Sequence, residues 1–193
     1  EPVHLWSEAG ILQKFYADPV RYTYSFQTFA TMTRVQSIAN AFIDKPDADV
    51  YIIERSPATD KLFMELQRTT IEPVELAMYD TWCDTWNKLL PVDIEQLAQP
   101  IYLKTSINSC MDRVHVRNRD GEKCGVTADY QQKLRRVHEA FFEGTHADEF
   151  PLLQKSKYLK KPIVIDDSLA DADFRDIYSN EFKAILDLIE STN

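Results

Sequence analysis

The sequence predicts an α/β fold: a parallel sheet flanked by helices, with an arginine-rich lid. Three observations point there. Short apolar runs, "VYII" at 50–53, "IYLK" at 101–104 and "PIVID" at 162–166, are β-branched or aromatic and do not alternate. Strands covered on both faces read this way. Long stretches of helical periodicity lie between them, and strands separated by helices imply parallel crossovers with ligands at the strand carboxyl ends. Finally, "RVHVRNRDGEKC" gathers Arg113, Arg117 and Arg119 within seven residues of an otherwise acidic chain.

Each element has its own warrant. The segment 24–43, "YSFQTFATMTRVQSIANAFI", opens on Ser25 as an N-cap, and Phe29, Met32, Val35, Ile38 and Phe42 fall at helical spacing. "IDKPDADV" at 43–50 is an exposed connection into the first strand. "PVELAMYDTWCDTWNKLL" at 73–90 starts with a proline, which a first helical turn tolerates. After the second strand, "TSINSCMDRVHVRNR" forms a helix on which Arg113 and Arg117, four apart, share a face. Arg119 follows where the helix gives way to Asp120-Gly121. "ADYQQKLRRVHEAFFEG" at 128–144 and "DFRDIYSNEFKAILDLIE" at 173–190 supply two further helices.

The 193 residues suit one domain, read here as 1–193. With 31 acidic against 22 basic residues, the formal charge of −9 argues against a polynucleotide partner, whose backbone needs a basic face. A local basic patch still suits a small phosphate. Cys83, Cys110 and Cys124 have neither zinc spacing nor an even count, as expected of free thiols in a reducing compartment. No apolar run approaches the roughly 20 residues of a membrane span. A cytoplasmic location is the expectation, and an upstream organellar targeting segment is compatible with it.

Two charged groupings carry chemistry. "YIIERS" puts Glu54 and Arg55 just after a strand, at the ligand edge. They read either as a surface ion pair or as a carboxylate for Mg²⁺ and a cation for developing charge. The lid arginines read either as a solvated helix face or as a clamp on a transferring phosphoryl group, since guanidinium forks match phosphate oxygens in pairs. His138, in "RRVHEAFF", reads as a structural helix histidine. Trp82 and Trp86, four apart, read as core or subunit contact.

Taken together, "EPVHLW", "FYADPVRYTYSFQTF", "ERSPATDKLF", "IYLKTS", "DRVHVRNRDGEKC" and "DADFRDIY" resemble the deoxyribonucleoside kinase family, of the deoxycytidine, deoxyguanosine and insect multisubstrate type. They occur in the family's order along nearly the whole chain. The resemblance implies a P-loop-kinase-like fold, ATP as phosphate donor, Mg²⁺, a homodimer built through helices, and phosphorylation of the deoxynucleoside 5′-hydroxyl in nucleotide salvage. It implies roles for individual residues too. Glu1 accepts the 5′-hydroxyl proton, and Arg55 braces that carboxylate. Glu54 lies near magnesium. Tyr16 and Glu122 hold the 3′-hydroxyl, Gln27 bonds the base edge, and Trp6 walls the pocket. Arg113, Arg117 and Arg119 form the lid, while Asp173 and Phe174 pack near the donor adenine. An arginine and an aspartate at the positions of Arg34 and Asp60 mark members that prefer deoxycytidine and purine deoxynucleosides over thymidine.

The chain departs from the family pattern twice. An aromatic residue is expected under the base eight positions after Ser56, where Met64 stands. Either the methionine packs on the base through its sulfur, or Phe63 takes the role in a shifted register. Nor does the sequence contain GxxxxGK[ST], so the first strand, phosphate loop and first helix are expected upstream of "EPV". Three other readings remain: a non-catalytic nucleoside-binding or structural subunit of the same fold, a thymidine-preferring member, and a phosphotransferase of another class.

Overall fold

A computed structural model describes residues 2–119, 125–150, 153, 158–166 and 179–190. In chain order its elements are α1 (Val3–Glu8), α2 (Ile11–Ala17), α3 (Pro19–Asp44), α4 (Pro57–Leu66), α5 (Pro73–Leu89), α6 (Ile94–Leu97), β1 (Ile101–Lys104), α7 (Ile107–Arg117), α8 (Ala128–Glu143), a 3₁₀ turn (Ala147–Glu149), β2 (Ile163–Asp166) and α9 (Ser179–Glu190). β1 and β2 pair in parallel, with Ile101 opposite Ile163 and Lys104 opposite Asp166. Helices α7 and α8 intervene between them, as a parallel crossover requires.

The long helix α3 organises the molecule. It begins at Pro19, six residues before the expected Ser25 cap. Asp18 is the true N-cap: its Oδ1 accepts from the Arg21 amide at 3.1 Å, and Pro19 occupies the first turn, where no amide donor is needed. An aspartate-proline pair outcompetes a serine that lies one and a half turns into the apolar periodicity. One end of α3 packs Phe26 and Ala30 against Trp6, Leu12 and Phe15 of α1 and α2. Its far end packs Val35 and Ile38 against Leu90 and Ile94. Between these, Thr31 shares a 3.0 Å hydrogen bond with Tyr79 of α5.

The expected first strand is not formed. Residues 50–53 pair with no strand among the described residues, and Ile52 is 88% exposed. The segment is held by Ile53, which packs against the Val35–Leu90 cluster, rather than by a ladder. Nor are the paired strands covered on both faces. In β1, Tyr102 is buried while Leu103 stands 63% exposed. Runs of Val, Ile and Leu record β-propensity but not which neighbours arrive to cover them.

The helices expected at 73–90 and 128–144 form within a residue of those bounds. α4 was not anticipated as a separate element. It is fixed at its start by Pro57 and by the Ser56 amide donating to Thr59 Oγ1 at 2.9 Å. No helix among the described residues is long and apolar enough to cross a membrane.

Candidate active site

A cleft of about 390 Å³ opens between α1–α4 on one side and β1, α7 and α8 on the other. It gathers residues from distant parts of the chain: Trp6, Tyr16, Gln27, Arg34, Asp60 and Phe63 from the first half, and Arg113, Arg117 and Arg119 from the second, with Arg55 from the loop before α4.

The wall made by α1–α3 is aromatic and rigid. Trp6 is 5% exposed and donates its indole N–H to Thr33 Oγ1 at 2.9 Å. Thr33 in turn donates to the Phe29 carbonyl at 2.9 Å, so the indole is anchored to the helix backbone. Phe26 meets Trp6 edge-on and stacks on Phe15 at 4.6 Å. Such aromatic pairs contribute about 0.5–1.5 kcal/mol each beyond area burial. Gln27 and Arg34, seven residues apart and so two turns apart on α3, present polar groups on the same side of this wall.

Arg34 and Asp60 form a buried ion pair between Arg34 Nη1 and Asp60 Oδ1, with relative exposures of 4% and 2%. The Arg34 guanidinium also lies 5.8 Å from the Trp6 ring centroid. Burial pushes the Asp60 carboxyl up, and Arg34 opposes that rise. Asp60 Oδ2 has no hydrogen-bond partner among the described residues. A buried carboxylate oxygen left in this condition on a residue that lines a cleft is an acceptor suited to a ligand N–H.

The adjacent α4 residues Phe63 and Met64 face different surroundings. Successive helical side chains point about 100° apart. Phe63 lines the cleft, whereas Met64 is 2% exposed and packs with Ile71, Tyr79 and Cys83 on the opposite side. Met64 therefore does not reach the cleft. The α4 N-terminal cap sets this rotation, which a count of residues from Ser56 could not supply.

Arg55 adopts a left-handed backbone conformation, φ 65°, unusual for a residue with a side chain. This turn carries its guanidinium over the Phe63 ring, 4.5 Å from the centroid. Behind Phe63 stands His138, edge-on at 6.2 Å. Its Nδ1 lies 2.7 Å from the Leu134 carbonyl oxygen. Burial first, and the positive charge of Arg55 second, push His138 down to about 4, so the ring is neutral at physiological pH and Nδ1–H donates to that carbonyl. The Tyr130 hydroxyl, also on the cleft wall, is pushed up to about 12 by burial. Sequence reasoning reads His138 as a structural helix histidine near the arginine segment, and the structure seats it on the cleft wall with Nδ1 tied to the carbonyl one turn back.

Helix α7 delivers Arg113 and Arg117 to the cleft. Ser106 caps it, accepting from the Ser109 amide at 3.1 Å. It ends at Arg117, where Asn118 turns left-handed at φ 48°, and Arg119 follows in non-helical conformation. The other expected carboxylate, Glu54, is exposed and is not among the cleft-lining residues. Among the described residues no group of three or more histidines, cysteines or acids is placed to hold a metal ion. Mg²⁺ takes one or two carboxylates plus phosphate oxygens, so it does not require such a group. Glu1, Glu122, Asp173 and Phe174 lie outside the described residues.

The cleft is thus apolar and aromatic, with a buried acceptor and donor set near Gln27, Arg34 and Asp60, and five further arginines, Arg55, Arg113, Arg117, Arg119 and Arg135, on its lining. Such a lining suits a flat heterocycle joined to an anion. Comparison with known proteins agrees with this chemistry. The family model for deoxynucleoside kinase matches residues 1–190. The chain is 28% identical over 177 residues to deoxycytidine kinase 1 of Xenopus laevis, covering 88% of the chain and 63% of that protein. It is 26% identical over 189 residues to the deoxycytidine kinase of Homo sapiens, covering 94% and 69%. It is 30% identical over 145 residues to the mitochondrial deoxyguanosine kinase of Xenopus laevis, covering 68% and 51%. The chain therefore spans less than two thirds of the length of the frog enzymes it matches, and it belongs to the deoxynucleoside kinase family.

Proposed function

We propose that this protein transfers the γ-phosphoryl group of ATP to the 5′-hydroxyl of deoxyribonucleosides, preferring deoxycytidine and purine deoxynucleosides, in nucleotide salvage. The observation that carries the reading is the joint lining of one cleft by the buried Gln27, Arg34 and Asp60 and by Arg55, Arg113, Arg117 and Arg119. The first group suits a base edge, and the second suits charge on a transferring phosphoryl group.

In this reading the base lies along the Trp6–Phe26 wall against Phe63. Gln27 offers opposed donor and acceptor to its edge. The Arg34–Asp60 pair fills the room that a thymine methyl would need, and Asp60 Oδ2 accepts from an exocyclic amino group. Tyr16 and Glu122 hold the 3′-hydroxyl. Glu1 accepts the 5′-hydroxyl proton, because an alcohol is a weak nucleophile without a base. Arg55, propped over Phe63, braces that end of the cleft. The lid arginines neutralise the developing charge, and Asp173 and Phe174 flank the donor base. Glu54 would hold Mg²⁺, which supplies charge neutralisation between the donor phosphates.

The protein acts as a homodimer. Val74, Met78, Trp82 and Leu89 of α5 are exposed large apolar residues, and Trp82 stacks on Trp86 at 5.7 Å. A stripe of this kind on one helix supports a second copy as its cover. Three cysteines without a metal or disulfide pattern support a cytoplasmic location.

The test is steady-state kinetics of the full-length protein with ATP, Mg²⁺ and each of the four deoxynucleosides, reading 5′-monophosphate formation. Turnover with deoxycytidine or a purine deoxynucleoside is expected. Nucleoside binding without turnover would establish the non-catalytic reading instead.

A further inference from the structure

Gly125 touches the cleft wall in a way that no other residue could. A Cβ built on it would lie 2.5 Å from Tyr16 Cδ1 and 3.0 Å from both Tyr16 Cβ and Cγ. The 2.5 Å contact is shorter than real Cβ atoms show, and the two 3.0 Å contacts, at the root of the tyrosine, are tighter than nearly all real ones. The requirement for glycine here is close approach.

The two partners of this contact belong to different parts of the site. Tyr16 closes α2, packs beside Phe15 at 5.5 Å and lines the cleft. Gly125 comes six residues after Arg119, and the next residue, Val126, is 7% exposed and lines the same cleft. Thr127 then caps α8 by accepting from the Tyr130 amide at 3.1 Å. The chain returning from the lid arginines is therefore seated on the tyrosine immediately before it enters a capped helix. Nothing larger than hydrogen on Gly125 allows both seats at once.

We infer that Gly125 is a positioning residue for nucleoside recognition: its missing side chain lets the segment after the lid press on Tyr16 and so fixes the tyrosine as the wall of the nucleoside pocket. The inference rests on the kinase reading above. A methyl group at 125 must displace either Tyr16 or the Val126 segment, since the close-packed interior transmits a small intrusion rather than absorbing it. Displacing the wall that meets the nucleoside weakens nucleoside binding and leaves the donor's own contacts alone.

The experiment is a mutant cycle in the full-length protein between Gly125→Ala and Tyr16→Ala, with KM measured separately for nucleoside and donor. Gly125→Ala is expected to raise nucleoside KM by about ten-fold or more with donor KM unchanged, because the overpacking falls on the nucleoside wall. In the Tyr16→Ala background, itself impaired, adding Gly125→Ala is expected to change nucleoside KM less than two-fold. If Gly125→Ala does not fold, the double variant must fold, because the 2.5 Å contact with Cδ1 is then gone and only the tight 3.0 Å contact with Cβ remains. The inference is overturned by unaltered nucleoside KM in Gly125→Ala, by a shift in donor KM instead, by additive effects, or by a double variant that stays unfolded. Lack of any nucleoside kinase activity in the unmodified protein would overturn the functional reading itself. The Gly125 contact would still then be measurable through the melting temperatures of the same four proteins.

Discussion

Removing the Arg34–Asp60 pair tests both the stability and the selectivity attributed to it. The two residues are 4% and 2% exposed, so each single substitution leaves its partner in a site that water does not reach. Breaking a buried pair costs about 3–5 kcal/mol, whereas replacing both members by apolar groups of similar size is often close to neutral. The two single changes are not equivalent. In Arg34→Met the remaining carboxyl, already pushed up by burial, escapes its charge by binding a proton. In Asp60→Ala the remaining guanidinium cannot shed its charge. Asp60→Ala is therefore expected to be the more destabilising single change, and the double variant less destabilised than the sum by at least about 2 kcal/mol. Urea denaturation of the wild type, both singles and the double measures this. The double variant should also gain thymidine turnover, its kcat/KM relative to deoxycytidine rising roughly ten- to hundred-fold, since an unmatched buried partner costs about 1–3 kcal/mol. Additive destabilisation, or Asp60→Ala milder than Arg34→Met, would refute the electrostatic reasoning. Thymidine as the best substrate of the unmodified enzyme would refute the selectivity.

Glu1→Gln is expected to lower turnover by about two orders of magnitude with little change in nucleoside affinity, and near-normal turnover would remove Glu1 from the chemistry. Arg117→Ala and Arg119→Ala should each depress kcat, as loss of charge stabilisation does, and a rise confined to nucleoside KM would contradict their assignment. His138 has a folded-state pKa of about 4, below the ordinary value of 6.5, so the unfolded chain binds the proton first as pH falls. Its contribution to stability is full above about pH 6.5 and is lost down to about pH 4, amounting to about 3 kcal/mol. Denaturation curves from pH 7 to pH 4 for the wild type and His138→Gln should show the extra slope in the wild type alone.

Part of the cleft lining was legible in the sequence. Arg113, Arg117, Arg119, Gln27, Arg34, Asp60, Trp6 and Tyr16, singled out from motifs in fixed order, all line it, because a motif encodes residue identity directly. The helices at 73–90 and 128–144 were legible too, because a proline or threonine start and a long apolar periodicity are local signals that tertiary packing did not override. The tertiary structure decided the rest, for reasons that are not local. Whether 50–53 forms a strand depends on a partner strand, and none pairs with it among the described residues. Whether Phe63 or Met64 faces the cleft depends on the rotation of α4, set by its cap and by the Tyr79–Cys83 packing that receives the methionine. Ser25 lost the capping role to Asp18 because the helix extended back to a better N-terminus. The neutral His138 behind Phe63, and the glycine whose hydrogen meets Tyr16, arise from contacts between segments more than seventy residues apart in the chain. Sequence alone chose the chemical groups, and the fold chose which of them share one desolvated space.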